Sequence, residues 1–331
     1  MTEIRFLTIL LLYGCGCYAQ ATVKDSTAIK PVANENIEFY EDDVKLRVGV
    51  SNSFNSFHVK DQNDRLDFTI SPNQRIRSVL TFTYKFIEFD IGYTPSFLAF
   101  NQDDSERGRT KFFNFGTRLF KGHWMQQLQY SRIKGFYVDR GDIGLDSNIL
   151  FPNLQVSKAG GSTSYIFNKA FSFRSILLQS EWQLKSAGSF VPSISYYYTQ
   201  IKNTDPSKDH IIDVAAGPAY YYNLVLHKNF LVSAGAYGGV GYNITTTRYN
   251  DSRPMERVEG LSLQSQLRLS LGFNSEHFYT GATVSHNSFY YHTDPKIHVS
   301  DQQQFVEFYF GYRFKAPEKL RKKVDNLPFK M

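Results

Sequence analysis

Apolar and polar residues alternate along residues 261–274, whose sequence is LSLQSQLRLSLGFN. Five leucines and Phe273 occupy odd positions, whereas Gln, Arg and Ser occupy most of the even ones. A period of two predicts a β-strand, because only in a strand do successive side chains point to opposite faces. Soluble strands usually have about 5–6 residues, whereas a strand that crosses a membrane needs about 9–11 tilted residues. This length predicts a strand with lipid on one side and a wet lumen on the other.

The same alternation recurs in other long segments of the chain. They are residues 80–86, 87–94, 113–119, 127–131, 232–242 and 306–314. Tight connections, such as residues 121–123 and 227–229, alternate with longer polar ones, such as residues 101–109 and 250–257. Short turns at one end and long loops at the other are typical of bacterial outer-membrane barrels. A soluble β-sandwich is the alternative for any single segment. Taken together, the alternating segments favour an all-β fold, namely a transmembrane antiparallel up-and-down β-barrel.

The number of strands follows from the alternating segments, of which about thirteen can be counted. Single-chain bacterial barrels have an even number of strands, so we expect about 12 strands, with 14 as the alternative. Residues 139–189 are the doubtful region, because apolar positions around Phe171 and Phe173 do not hold one phase. Pro72 also divides residues 66–86, which allows two segments there to be one kinked strand.

Composition agrees with a barrel. The chain has 22 Tyr and 29 Phe, and many of them lie near the ends of the alternating segments. Aromatic rings at strand ends form the girdles of membrane barrels at both interfaces. Past the N-terminus, the sequence contains no apolar run of the length that a membrane helix needs.

Residues 1–19 are predicted to be a secretory signal peptide. Arg5 supplies a charged start, residues 6–12 an apolar core, and residues 17–19 a small-x-small cleavage site before Gln20. Both cysteines, Cys15 and Cys17, lie in this segment, so the mature chain has no disulfide or thiol chemistry. The alternative is a lipoprotein signal in which Cys15 is acylated, although Tyr13 fits that signal poorly.

The remaining chain is predicted to have three parts. Residues 20–43 form a flexible periplasmic leader, residues 44–315 the barrel and residues 316–331 a basic periplasmic tail. The net charge is +6, but Lys and Arg are not clustered with stacking aromatic residues, so no nucleic-acid partner is predicted. We expect outer-membrane lipid as one partner. A protein in the outer membrane or periplasm is a second, bound through Lys319, Arg321, Lys322 and Lys323.

Charged residues also fall on the inward parity of the predicted strands. They are Lys85, Glu88, Asp90, Arg118, Arg268, Glu307 and Arg313. They either line a selective pore or neutralise one another in a filled lumen, as charges confined to a narrow barrel require. Their mixed signs favour the second interpretation, a polar and filled lumen.

One local arrangement indicates chemistry. His286 and Ser288 share the face of a strand that also carries Ala282 and Val284, so both should face lipid. A His two residues from a Ser can serve as base and nucleophile if a third group orients the imidazole. Candidates for that group are Asp301 and Gln303 on the next strand. The pair resembles the His-x-Ser of outer-membrane phospholipases and lipid A deacylases. It departs from them because Phe289, rather than Asn, follows the serine. A polar strand end at the headgroup level is the favoured alternative.

Several segments resemble a family of Bacteroidota outer-membrane proteins that is known as a domain of unknown function. These segments are residues 108–111, 132–137, 165–168, 171–174, 183–189 and 310–317. The resemblance covers most of the mature chain. It implies an outer-membrane barrel, and it implies no activity, because the family has no assigned catalytic residues.

Three functions remain open from the sequence. The first choice is a structural, binding or complex-partner barrel with a filled lumen, because the inward charges have mixed signs. A small-solute channel is second, and a lipid esterase that uses His286 and Ser288 is third. The sequence contains no HExxH, CxxC or Asp-rich loop, so we predict no metal and no cofactor.

Overall fold

The computed structural model describes residues 35–40, 42–61, 67–85, 87–95, 97–98, 101–177, 180–202, 207–292 and 297–326. The predicted signal peptide and residues 20–34 of the predicted leader lie outside these ranges. The strands are β1 (Ile37–Phe39), β2 (Asp43–Asp61), β3 (Asp67–Ser71), β4 (Arg77–Tyr84), β5 (Ile87–Tyr93), β6 (Lys111–Lys121), β7 (Trp124–Val138), β8 (Ile149–Tyr165), β9 (Glu181–Gln183), β10 (Ala187–Phe190), β11 (Ser193–Lys202), β12 (Ser207–Gly217), β13 (Ala219–Leu226), β14 (Phe230–Tyr249), β15 (Glu256–Asn274), β16 (Phe278–His292) and β17 (Ile297–Lys315). The helices are α1 (Asp104–Arg107), α2 (Arg140–Ile143), α3 (Arg174–Leu177) and α4 (Glu318–Asp325).

Ten strands close into an antiparallel barrel. Their order is β14-β12-β11-β8-β7-β3-β2-β17-β16-β15, and β15 pairs back onto β14. Further strands extend the wall at one end: β4 and β5 beside β2, β6 beside β7, and β13 and β10 beside β14. The predicted all-β barrel is confirmed. The predicted number of about 12 strands is approximate, because only ten of the described strands complete the ring.

The two ends of the barrel differ in their connections. Tight turns at residues 122–123, 227–229 and 275–277 define what we call the turn end. Longer connections, such as residues 139–148 and 250–255, lie at the loop end. The barrel begins and finishes at the turn end, where Asp43 of β2 pairs with Lys315 of β17.

The kink that Pro72 suggests is present. Both β3 and β4 pair with β2, through residues 57–60 and 45–51 respectively, so they act as one interrupted strand. Asn73 stabilises the interruption, because its backbone N donates to Thr110 Oγ1 at 2.8 Å and its side chain donates to Asp103 Oδ1 at 2.9 Å.

The outer wall carries a belt of exposed apolar side chains. Leu267 is 60% exposed, whereas its neighbours Gln266 and Arg268 turn towards the lumen. Belt residues on other strands include Leu46, Val48, Val50, Leu80, Val240, Val284, Phe308 and Phe310. Aromatic pairs edge the belt at the turn end, such as Phe230 with Phe273 at 4.9 Å between ring centroids. Such an extended apolar surface is suited to lipid. No helix among the described residues is long and apolar enough to cross a membrane.

Replacing Leu267 by arginine should therefore destabilise the barrel in a bilayer. We expect a loss of about 2–4 kcal/mol in the free energy of unfolding, because the new charge would lie in the apolar belt. Ser252→Arg is the matched control, because Ser252 is exposed in the connection at residues 250–255, outside the belt, and we expect a much smaller loss. Reversible denaturant unfolding in lipid vesicles measures both. Equal losses would contradict a lipid-facing belt.

A folded segment closes the lumen at the turn end. We call β1, residues 171–177 and β9 the plug; β9 pairs with β1 in antiparallel fashion. Trp182 of β9 is 1% exposed, and its Nε1 donates to the carbonyl oxygen of Lys228 at 2.8 Å. Phe173 packs against Tyr221 of the barrel wall with ring centroids 4.6 Å apart. Residues 171–177, whose apolar positions do not hold one phase, therefore do not form a membrane strand. They fold into the lumen.

Polar groups fasten the plug to the wall. Gln183 is fully buried; its Oε1 accepts from Ser172 N at 2.8 Å and from Asn223 Nδ2 at 3.1 Å. Tyr40, just after β1, donates from its hydroxyl to Glu38 Oε2 at 2.6 Å. Burial, together with that hydrogen bond, raises the pKa of Tyr40 to about 12, so the phenol stays a neutral donor at ordinary pH. The predicted flexible leader thus ends before position 43, because residues 35–40 are built into this hydrogen-bonded structure.

The basic tail begins as a helix on the outside of the barrel. Leu320 and Val324 of α4 pack with Val44, Phe82 and Tyr84. Residues 327–331 lie outside the described residues.

Candidate functional site

A buried ion pair spans the lumen. Lys158 Nζ of β8 lies 2.7 Å from Asp301 Oδ2 of β17, and each side chain is 2% exposed. Along the shorter path around the ring, three strands (β7, β3 and β2) still lie between β8 and β17. The pair therefore joins two walls of the barrel instead of two neighbouring strands. Such a pair holds only if further groups compensate for the desolvation of both charges.

Aromatic rings supply part of that compensation. Lys158 Nζ lies 3.6 Å from the centroid of the Phe289 ring and 4.8 Å from that of Tyr197. Phe289 and Tyr197 meet edge to face at 5.5 Å. A cation over a desolvated aromatic face is stabilised by the ring quadrupole. We call Lys158, Tyr197, Phe289 and Asp301 the cross-lumen layer.

Apolar side chains fill the lumen on the loop side of this layer. Phe57, Ile133, Phe136, Leu154 and Val156 form a buried cluster. A bulge at Gly135, whose φ is +95°, shifts the phase of β7 and lets Phe136 join Ile133 on the inside. The expectation of a polar lumen is therefore wrong for this part of the barrel.

A cavity lies between the cross-lumen layer and the plug. The space there that no protein atom fills is about 750 Å³, including space open to solvent, and Phe289 borders it on one side and Phe173 on the other. Uncharged polar groups line most of the wall: Gln127, Gln129, Ser162, Ser193, Ser195, Gln264, Gln266 and Asn287. Among the described lining residues, Arg268 alone carries a charge. This wall can hydrogen-bond water or a small polar molecule.

The predicted lumen charges do not form one lining. Arg268 borders the cavity, Arg118 lies on the lumen side of β6, and Glu307 pairs with Arg47 at 3.6 Å. Arg313 is 1% exposed beside the plug, with its guanidinium 3.8 Å from the centroid of the Tyr40 ring. Lys85 is a correction: it does not belong to a strand but is a turn residue after β4, with φ of +53°, and its Nζ lies 5.7 Å from the centroid of the Tyr84 ring. The side chains of Glu88 and Asp90 lie outside the described residues.

His286 and Ser288 are hydrogen-bonded on the outer wall. Ser288 Oγ lies 3.0 Å from His286 Nε2. Both share the face of Val284 and Tyr290, which are 48% and 52% exposed. His286 pairs across the sheet with Leu267, so the polar pair interrupts the apolar belt and does not mark the end of a strand.

The orienting group suggested by the sequence does not fit. Asp301 and Gln303 have lumen-facing parity, and Asp301 is bound to Lys158, so the sheet separates both from the His286 ring. The cross-strand neighbours on the outer face are instead Gln304, opposite His286, and Gln302, opposite Ser288. A neutral amide can orient an imidazole by a hydrogen bond, but it adds no charge to stabilise an imidazolium.

Residues 34–314 match the sequence profile of a family described as Domain of unknown function (DUF4421). This chain belongs to the DUF4421 family. The expected resemblance to a domain of unknown function is thereby confirmed. Comparison with curated proteins gives no match.

Solved barrels resemble this DUF4421 protein at low sequence identity. The outer membrane protease OmpT from Escherichia coli is 6% identical, with a TM-score of 0.41, over 85% of this chain and 100% of that one. The toluene transporter TodX from P. putida is 9% identical, with a TM-score of 0.24, over 83% of this chain and 91% of that one. The outer membrane protein OprG from Pseudomonas aeruginosa is 11% identical, with a TM-score of 0.18, over 84% of this chain and 98% of that one.

Inspection of the DUF4421 sequence alone missed the cross-lumen layer. Lys158 has the parity of Leu154 and Val156 in β8, and this signal places it in the lumen. Its partner is 143 residues away and could not be inferred from a local pattern. Among the described residues, no group of three or more His, Asp or Glu side chains is arranged to hold a metal ion.

Proposed function

We propose that this protein is an outer-membrane β-barrel with a closed lumen, and that it serves as a binding or assembly partner rather than as a solute channel. The observation that carries this proposal is the Lys158–Asp301 pair, which crosses the lumen at 2.7 Å with both side chains buried. The plug lies on one side of the cavity and the apolar cluster on the other, and both support a closed lumen.

The membrane placement is supported by two features of the wall. Exposed apolar side chains lie on most strands of the ring, and the barrel begins and finishes at the turn end. In bacterial outer-membrane barrels the short turns lie in the periplasm. We therefore place the plug and α4 on the periplasmic side, and residues 1–19 as a cleaved signal peptide. Sequencing of the mature N-terminus should begin at Gln20.

Liposome swelling separates a closed barrel from a channel. We expect vesicles that contain the purified protein to swell in isotonic sugar no faster than protein-free vesicles, with a general porin as the positive control. Swelling that rises with the amount of inserted protein would make the channel the better proposal. Isolation from the native membrane after cross-linking should then identify the partner. Recovery of the barrel alone would argue against an assembly role.

A lipid esterase is the second candidate, and the 3.0 Å contact between Ser288 Oγ and His286 Nε2 on the outer face of β16 favours it, although Ser288 is 4% exposed. In this reaction Ser288 Oγ would attack the ester carbonyl while His286 accepts the hydroxyl proton. The alcohol would then leave with that proton, and water would hydrolyse the acyl-serine.

The purified barrel should leave mixed outer-membrane phospholipids intact, with or without calcium. We expect this because the described outer-face neighbours on β17, Gln302 and Gln304, are neutral amides that do not stabilise an imidazolium. Fatty-acid release measured by mass spectrometry tests this. Release that Ser288→Ala and His286→Ala each abolish, with folding unchanged, would instead establish the esterase.

A further inference from the structure

Helix α4 packs against the lipid-facing surface of the barrel wall. Its Val324 is 7% exposed and packs, with Leu320, on a cluster that contains Val44. Val44 shares its face of β2 with Leu46 and Val48, which are 38% and 59% exposed belt residues. The apolar side of α4 therefore continues the belt at its turn end.

The other side of α4 is strongly basic. All four cations of the helix, Lys319, Arg321, Lys322 and Lys323, are exposed. They form no ion pair with any described residue, whereas Lys315, just before the helix, is bound to Asp43 at 2.8 Å. Glu318 is the acidic residue of the first turn. The exposed side thus presents a concentrated positive charge.

The position of α4 determines which groups its exposed cations can contact. Only Ala316 and Pro317 separate α4 from β17, and Phe314 and Tyr312 of that strand stack at 6.2 Å beside it. Aromatic residues at the edge of a belt mark the level of the lipid headgroups. A helix there, with its apolar side on the wall and its basic side exposed, presents its cations at the level of the headgroups.

We propose that α4 is an interfacial helix that binds the headgroups of anionic phospholipids in the leaflet at the turn end. This inference rests on the proposed membrane placement but not on the closed lumen. Each Lys or Arg near an anionic surface is attracted to the lipid headgroups, and apolar contact with the wall holds the four cations close to them.

A tryptophan beside α4 can report which lipid gathers there. We would place it by Phe314→Trp, since Phe314 packs in the α4 cluster, and remove the 55% exposed Trp124 by Trp124→Phe. Trp182 lies in the lumen, 1% exposed and out of reach of lipid quenchers. Quenching by brominated phosphatidylglycerol and brominated phosphatidylcholine, in equimolar vesicles of the two lipids, gives the relative association constant at this site.

We expect phosphatidylglycerol to be favoured about fivefold or more at low salt, which corresponds to about 1 kcal/mol. Higher salt should reduce this preference. The variant K319Q/R321Q/K322Q/K323Q should abolish it, while K111Q/R132Q/K202Q/K208Q, which removes four cations elsewhere on the barrel, should not. Heat-modifiable migration checks that both variants fold.

Two results would overturn the proposal. One is equal quenching by the two lipids in the parent protein, and the other is a preference that survives loss of the four α4 cations. Capture of a periplasmic protein through these cations, without a lipid preference, would assign the basic side to a protein partner. None of these results depends on whether the barrel conducts.

Discussion

Replacing Lys158 by alanine should lower the free energy of unfolding by about 3–5 kcal/mol, because it leaves the Asp301 carboxylate buried without its partner. Both side chains are 2% exposed, so the carboxylate has almost no contact with bulk water that would replace the ammonium group. The loss also removes the cation that lies over the Phe289 ring. Denaturant unfolding of the reconstituted barrel measures this change.

A double variant and a surface variant complete that test. Lys158→Met with Asp301→Asn removes both charges, and we expect it to recover most of the stability lost in Lys158→Ala. Lys315→Ala removes an 85% exposed lysine from its pair with Asp43, and it should cost less than about 1 kcal/mol. Similar losses for Lys158→Ala and Lys315→Ala would show that the buried pair does not hold the walls together.

Replacing Trp182 by alanine should loosen the plug. Truncation of a buried aromatic side chain costs about 3–5 kcal/mol through lost contacts and an unfilled cavity. The effect is local to β1 and β9, so the amides to follow are Tyr40 N, bonded to Ser180, and Leu184 N, bonded to Asn36. We expect their protection against hydrogen exchange to fall about a hundredfold or more.

Trp182→Phe is the matched control for the plug. It keeps most of the buried ring but loses the 2.8 Å hydrogen bond from Nε1 to the Lys228 carbonyl oxygen. A typical hydrogen bond contributes about 1 kcal/mol, so the loss of protection should be much smaller than for Trp182→Ala. Unchanged exchange in Trp182→Ala would mean that the plug is not held by this side chain.

The wall of the barrel was predictable because one local rule sets it. In β15 the period of two alone separates Leu267, which faces lipid, from Arg268, which faces the lumen. The same rule failed for the plug, because residues 171–177 and β9 do not alternate. The strand partner of β9 is β1, more than 140 residues earlier in the chain, and Gln183 of β9 also donates to the carbonyl oxygen of Asn36, just before β1.

The contents of the lumen were less predictable than its wall. Parity places Lys158 and Asp301 inside, but only the stagger of the strands around the ring decides that these two meet. In the apolar cluster of the lumen, parity alone does not place Phe136 inside, because a single bulge at Gly135 resets the phase of β7. Parity puts His286 and Ser288 together on the outer face of the wall. The same rule places Asp301 on the lumen face.

Planar-bilayer recording of the purified protein tests the closed lumen most directly. Insertion would be verified by heat-modifiable migration and by co-sedimentation with vesicles. Because the Lys158–Asp301 pair, the apolar cluster and the plug lie in series, we predict no steady open conductance for the wild-type barrel. A steady conductance that grows with the number of inserted barrels would contradict a closed lumen.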